Sequence, residues 1–197
     1  MGRRHPLNGF YDLGQKFAAL NKRPESSRHN FLVDMGGANG RWAADLLRSY
    51  PEIEPQSVVI QDLAEPIIAA RENENLPRGV VFQEHDFKAA QNIKGAYFDH
   101  IRACLHDYGD EECAQILGHI AAAMEQHSTL LVAENVLPSE ISPERHSHLM
   151  DIWMCLFGGK ERTTADFVRL FQAAGLRLKD IHDSGRGDWK ILETVLA

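Results

Sequence analysis

Cysteine is scarce in this chain of 197 residues: there are three, Cys104, Cys113 and Cys155. An odd number without metal-type spacing gives neither a disulfide framework nor a zinc site, and thiols set in apolar stretches read as reduced and buried. Long hydrophobic runs are missing as well. Nothing approaches the roughly 20 apolar residues that a membrane span needs, and Met1 to Asn8 lacks the apolar centre of a secretory signal, so a cytoplasmic location is expected. Basic runs are also absent. Against 28 Asp and Glu there are 21 Lys and Arg, a formal charge of -7, and the basic residues are scattered, as at Arg71, Arg78, Lys88 and Lys94. Nucleic acid is therefore a poor partner. The length suits one domain, which hides roughly 70% of its unfolded surface.

What is present is alternation. Phe10, Leu13, Phe17 and Leu20 have helical spacing and run into the polar stretch Asn21 to Asn30, so residues 1–29 are expected to be a helix and linker preceding a domain at 30–197. From there the pattern predicts strands at Phe31 to Met35, Ser57 to Gln61, Gly79 to Gln83, Tyr97 to Cys104 and Thr129 to Ala133. Helices are expected at Arg41 to Ser49, Ala64 to Asn73, Asp110 to Gln126, Pro143 to Phe157 and Thr164 to Ala174. The chain closes with strands Leu176 to His182 and Trp189 to Leu196 around the turn Ser184 to Gly187, which only a hairpin fits. Such alternation implies an α/β fold, a doubly wound, mostly parallel sheet with an antiparallel last strand.

The first strand ends in Asp34-Met35-Gly36-Gly37-Ala38-Asn39-Gly40 and leads into a helix. Glycines let the backbone turn tightly and approach a ligand, and the helix terminus offers free N–H groups. The second strand ends at Asp62, where a carboxylate can accept from both hydroxyls of a ribose. Together these favour a ligand containing adenosine. The loop resembles motif I of methyltransferases, Asp/Glu-x-Gly-x-Gly-x-Gly, with Ala38 at the middle glycine. If that position needs a positive φ, the extra methyl group costs affinity.

Leu105-His106-Asp107-Tyr108-Gly109-Asp110-Glu111-Glu112-Cys113 is similar to the Leu-His-Asp-Trp/Tyr-x-Asp-Glu-Glu-Cys signature of caffeic-acid-type plant and fungal O-methyltransferases. Ala133 to Pro138 matches that family's strand-end motif, Asp151-Ile152-Trp153-Met154 its Asp-x-x-Met helix, and Gly158 to Thr163 its Gly-Gly-Lys-Glu-Arg-Thr segment. The resemblance runs over roughly residues 10 to 197 and implies the class I, Rossmann-like methyltransferase fold with S-adenosylmethionine as cofactor. It further implies that Gly36, Gly37, Gly40 and Asp62 hold the cofactor, that Asp86 and Phe87 lie near its adenine, and that Arg102 is a basic group on its side. His106 matches the catalytic base, and Glu134 and Glu161 match two acids flanking it. A bland alternative has Glu161 capping or pairing with Arg162 at the surface.

The expected reaction is methyl transfer to a hydroxyl, of phenolic type, on a small aromatic or polyketide metabolite. In-line displacement needs the oxygen aligned and its proton removed, which suits an imidazole backed by carboxylates. The alternatives are a methyltransferase-like isomerase or cyclase of natural-product biosynthesis, to which the same acid/base trio is suited, and a non-catalytic partner subunit. His146, His148 and Asp151 do not share a helix face, so no metal is expected. Relative to that family the N-terminal dimerisation domain is expected to be missing, in a naturally short protein or a truncated one, and apolar faces at Phe10 to Leu20 and Leu149 to Phe157 are expected to be covered in a homodimer or by a pathway enzyme.

Overall fold

The computed structural model describes residues 11–20, 30–138, 159–183 and 188–197. The expected helix at Pro143 to Phe157, its Asp151 to Met154 motif and the Ser184 to Gly187 turn lie outside them. Among the described residues no helix is long and apolar enough to cross a membrane.

The strands are β1 (Leu32–Met35), β2 (Val58–Asp62), β3 (Val81–Glu84), β4 (Phe98–Arg102), β5 (Thr129–Leu137), β6 (Arg162–Thr163), β7 (Leu176–Asp183) and β8 (Trp189–Leu196). Helices α1 (Leu13–Leu20), α2 (Arg41–Ser49), α3 (Ala64–Arg71), α4 (Asp110–Ala121) and α5 (Thr164–Ala173) pack between them. The strand order is β3-β2-β1-β4-β5-β8-β7, with β6 pairing β5. The first five strands in that order are parallel, and β8 runs antiparallel to both neighbours. This is the doubly wound sheet with a closing hairpin that the alternation implies. Central strands covered on both faces must be apolar on both, and β1, β4 and β5 are buried almost throughout.

Boundaries differ where tertiary contacts intervene. Strand β5 continues past its apolar run through Glu134 and Asn135, because β8 pairs them with Lys190 and Trp189. Helix α3 stops at Arg71, and Asn73 instead donates its side-chain amide to the Asn39 carbonyl at 2.8 Å, bracing the glycine loop. Helix α4 ends at Ala121, before a turn in which the Gly95 N–H donates to the Ala123 carbonyl. A reciprocal capping box between Thr163 and Asp166 starts α5.

Two apolar cores lie in the layers around the sheet. Helix α1 contributes Leu13 and Phe17 to the first, with Phe17 set edge-on to Phe31 at 4.9 Å. Of the apolar face expected at Phe10 to Leu20 for a partner, Leu13 and Phe17 are therefore spent inside the chain's own core, and Phe10 lies outside the described residues. Cys113 is buried as expected, whereas Cys104 is only half-buried because it reaches the ligand cleft.

Candidate active site

The glycine loop is shaped by its backbone. Gly36 has φ +66°, and a Cβ there would lie 2.7 Å from the Cys104 sulfur and 3.3 Å from the Phe87 ring. At Gly37 a Cβ would meet Ile60 at 2.8 Å and Asp34 Oδ2 at 2.9 Å. Ala38 is left-handed too, φ 48°, a conformation that costs a non-glycine residue roughly 1–2 kcal/mol. Its N–H donates to Asp62 Oδ2 at 2.8 Å, and the Leu63 N–H donates to Oδ1 at 2.8 Å. Two backbone donors thus fix the Asp62 carboxylate, and each oxygen retains capacity for a further donor. Gly40, also left-handed, starts α2.

A cleft of about 1010 Å³ opens over this loop, walled among others by Gly36, Gly37, Ala38, Arg102, Cys104 and Trp189. That is large enough for a nucleoside-sized ligand. The Arg102 guanidinium lies over the Trp189 ring at 5.5 Å. Phe87 packs against Gly36 and stands edge-on to Tyr108 at 5.9 Å. Asp86 is exposed, and its carboxylate accepts the Lys88 N–H at 2.9 Å. Asp62 sits one hydrogen bond behind the cleft wall, through Ala38.

His106, Glu134 and Glu161 come from separate elements and converge. His106 lies in a 3₁₀ turn, Leu105–Asp107, after β4, Glu134 in β5, and Glu161 immediately before β6. His106 Nδ1 is 3.4 Å from Glu161 Oε1 and 3.8 Å from Glu134 Oε2. On the ring's other side Nε2 is 3.7 Å from Asp107 Oδ1. Burial alone depresses the imidazolium, but the hydrogen bond to Glu161 and the charges of Glu134, Glu161 and Asp107 outweigh it, and the pKa rises to about 9. Burial pushes Glu134 up to about 7, against the pull of His106 and two backbone donors. Those donors are the Cys104 and Leu105 N–H groups, both on Oε1. Glu134 Oε2 and Glu161 Oε2 are buried without a hydrogen-bond partner. The surface alternative for Glu161 is overturned, since it is 3% exposed and turned to His106.

A group that sequence reasoning left out holds this arrangement. Arg162, 1% exposed, donates to the Leu105 carbonyl at 2.9 Å, the Tyr108 carbonyl at 2.8 Å and Asp110 Oδ1 at 2.8 and 2.9 Å. Next to it the Lys160 N–H donates to the His106 carbonyl at 2.7 Å. Residues 160–162 therefore grip the His106 turn by its backbone while Glu161 holds its imidazole. The only sequence signal was that Asp110 and Arg162 each fall within a family motif, Leu105 to Cys113 and Gly158 to Thr163. Burial first, then the charge of Glu134, raises the Cys104 thiol far above its usual range, which disfavours the thiolate. His146, His148, Asp151, Trp153, Met154 and Phe157 lie outside the described residues. Asp180, His182 and Glu193 approach one another at the far edge of the sheet, where Glu193 is already met by Lys179 and His182 at 2.7 and 2.9 Å.

A parallel sheet with a glycine loop after its first strand, an acid ending its second and an acid/base cluster beyond its fourth defines the Rossmann-like class to which methyltransferases belong. Comparison with known proteins narrows this. The O-methyltransferase domain family matches residues 19–177, and the chain belongs to that family. Methyltransferase pvhD of Talaromyces variabilis is 33% identical over 192 residues, 98% of this chain and 52% of that protein. Demethylsterigmatocystin 6-O-methyltransferase stcP of Emericella nidulans is 34% identical over 155 residues, 79% of this chain and 74% of that protein. The solved structure of the LepI complex with SAM superposes with a TM-score of 0.87 at 26% identity, covering 100% of this chain and 50% of LepI. The chain thus spans about half the length of several relatives that it matches.

Proposed function

We propose that this chain forms the cofactor-binding and catalytic part of an enzyme that methylates a hydroxyl, phenolic in type, of a small aromatic or polyketide metabolite, using S-adenosylmethionine. The observation that carries the reading is the convergence of His106, Glu134 and Glu161 next to the glycine-loop cleft. The fit to the cofactor rests on the room in that cleft, the left-handed backbone at Gly36 and Gly40, and the anchored carboxylate of Asp62. In this reading Gly36, Gly37, Gly40 and Asp62 hold the nucleoside, Asp86 and Phe87 flank the base, and Arg102 lies on the side of the charged end.

His106 is the base. Its Nδ1 faces two carboxylates, which fix the tautomer and leave Nε2 for the substrate hydroxyl. An unperturbed phenol titrates near 10 and a free imidazole near 6.5, a mismatch of about 5 kcal/mol at 1.36 kcal/mol per unit. Raising His106 to about 9 removes most of that mismatch. When bound, the cofactor supplies an electrophilic methyl group and a positive charge. Glu134 and Glu161 stabilise the imidazolium formed when the proton leaves the hydroxyl, while Arg162 and the Lys160 N–H keep the turn in register.

The test is incubation with S-adenosylmethionine and a panel of phenolic and polyketide acceptors, read by product mass. Gain of one methylene unit supports the reading, whereas conversion without mass change would point to an isomerase or cyclase. A cytoplasmic setting and a homodimer or pathway-enzyme complex through the apolar sequence 149–157 belong to the same proposal. Light scattering at micromolar concentration checks the latter, and a strictly monomeric active chain would refute it.

A further inference from the structure

At the edge of the sheet away from the His106 cluster, the β7–β8 hairpin sets two carboxylates against each other. A bulge between Leu178 and Asp180 shifts the register, so that Asp180 rather than Lys179 stands directly opposite Glu193. Like charges facing one another across two strands destabilise the pair, and a bulge re-aims a side chain. Each carboxylate has one oxygen anchored and the other turned to His182. Asp180 Oδ1 accepts the Ile181 N–H at 2.8 Å, and Glu193 Oε1 accepts from Lys179 Nζ at 2.7 Å. His182 Nε2 is 3.9 Å from Asp180 Oδ2 and 2.9 Å from Glu193 Oε2. Among the described residues no Lys or Arg pairs with Asp180, whose ion-pair contact is with His182. Behind this group lies Tyr11, edge-on to the His182 ring at 4.9 Å. Its side chain is 4% exposed and its hydroxyl has no hydrogen-bond partner. Burial first, then the charge of the 3%-exposed Glu193, raises that hydroxyl far above its usual range.

The three inward atoms, Asp180 Oδ2, His182 Nε2 and Glu193 Oε2, lie within 4.8 Å of one another. Tetrahedral zinc, with bonds of about 2.0–2.2 Å, holds its donors about 3.4 Å apart, which falls between the two distances from His182. One imidazole with two carboxylates suits such a borderline cation better than Mg²⁺ or Ca²⁺, which favour oxygen ligands alone. We propose that Asp180, His182 and Glu193 bind a Zn²⁺ ion that staples β7 to β8, with water in the fourth position. His182 binds as the neutral imidazole, protonated on Nδ1, and the ion takes the place of the proton between Nε2 and Glu193 Oε2. The Ile181 N–H and the Lys179 ammonium, already on the other oxygens, orient the two ligating carboxylates. The unpaired Tyr11 hydroxyl gains an acceptor in the carboxylate or water on the ion. The site is separate from the glycine-loop cleft and stands whether or not the chain transfers a methyl group.

Calorimetric titration of the intact, chelator-treated chain with zinc chloride, and in parallel with magnesium chloride, is the test. One Zn²⁺ per chain is expected, together with a rise in melting temperature, and no saturable heat from Mg²⁺. The outer partners of a metal alone are worth roughly 10–100-fold in affinity, so Asp180→Asn and His182→Ala, which remove ligands, should each weaken Zn²⁺ by roughly tenfold or more. Melting curves without metal verify the fold. Asp180→Asn, at an exposed position, keeps the side chain's shape and carries the test if His182→Ala does not fold. A wild type that takes up no Zn²⁺ at submillimolar concentration overturns the assignment. Unchanged affinity in a folded variant does the same, since the ion would then sit on other histidines or thiols. Equal affinity for Mg²⁺ also overturns it, because the imidazole would not be a ligand.

Discussion

The glycine loop and the His106 cluster adjoin one another and are made by different means. In the first, main-chain conformation does the shaping: left-handed residues at 36, 38 and 40 bring the Ala38 N–H onto Asp62, 24 positions away. In the second, side chains from three elements meet, with His106 and Glu161 55 positions apart, and a buried guanidinium secures the turn between them. A site built from backbone responds mainly to whether a residue can adopt the required φ. A site built from side chains responds to the loss of any member, and to the loss of whatever grips it from behind.

Removing the base should give the largest effect on the cluster and almost none on the loop. His106→Ala is expected to lower turnover by roughly 10²–10⁴, with S-adenosylhomocysteine affinity unchanged. Turnover near the wild-type value at neutral pH would show that alignment rather than proton removal carries the rate. Arg162→Met comes next, because it leaves the Leu105 and Tyr108 carbonyls without their buried donor. At about 1–3 kcal/mol for each stranded group, a loss on the order of 3 kcal/mol is expected in urea unfolding. Any residual activity should fall in kcat rather than in cofactor affinity, and undiminished stability would mean that the turn holds itself.

On the loop side, Asp62→Ala should weaken cofactor binding by about 1.5–3 kcal/mol, read by calorimetry, while the pH profile set by His106 stays in place. That profile offers a finer test. The base form of His106 accumulates as pH rises toward about 9, so kcat/KM should climb over that range. The hydrogen bond that His106 donates to Glu161 is a main cause of the elevation, and Glu161→Gln should move the rising limb to lower pH. Stability follows the same group with the opposite sense. Its folded pKa lies above the unfolded value of about 6.5, so its contribution is complete below that value and is lost as pH rises through the folded pKa. Glu161→Gln should bring that loss to lower pH, and an unmoved limb would detach Glu161 from the base.

The smallest effect belongs to Ala38→Gly. Relief of the left-handed strain exceeds the added entropy of the unfolded chain by about 0.5–1 kcal/mol, a modest rise in melting temperature. Reduced stability there would show that the Ala38 methyl group makes contacts worth more than the strain.

The sequence by itself determined the sheet's alternation, the closing hairpin, the glycine loop and the acid at the end of β2, because each depends on periodicity or on turn chemistry confined to a few consecutive residues. The family signature marked His106, Glu134 and Glu161, though not their distances. Only the tertiary structure decided that Glu161 turns inward to His106 while Arg162 grips the turn's carbonyls, that α1 spends Leu13 and Phe17 on its own core, and that β5 runs on through Glu134. It alone set Asp180 opposite Glu193 beside His182, since an acid within the strand sequence Ile191-Leu192-Glu193-Thr194-Val195 shows that something must meet it but not what. Local patterns follow from steric and hydrogen-bonding rules that act between near neighbours in the chain. The contacts of a buried charge depend on which distant strand or turn the fold lays beside it, and no short stretch of sequence encodes that.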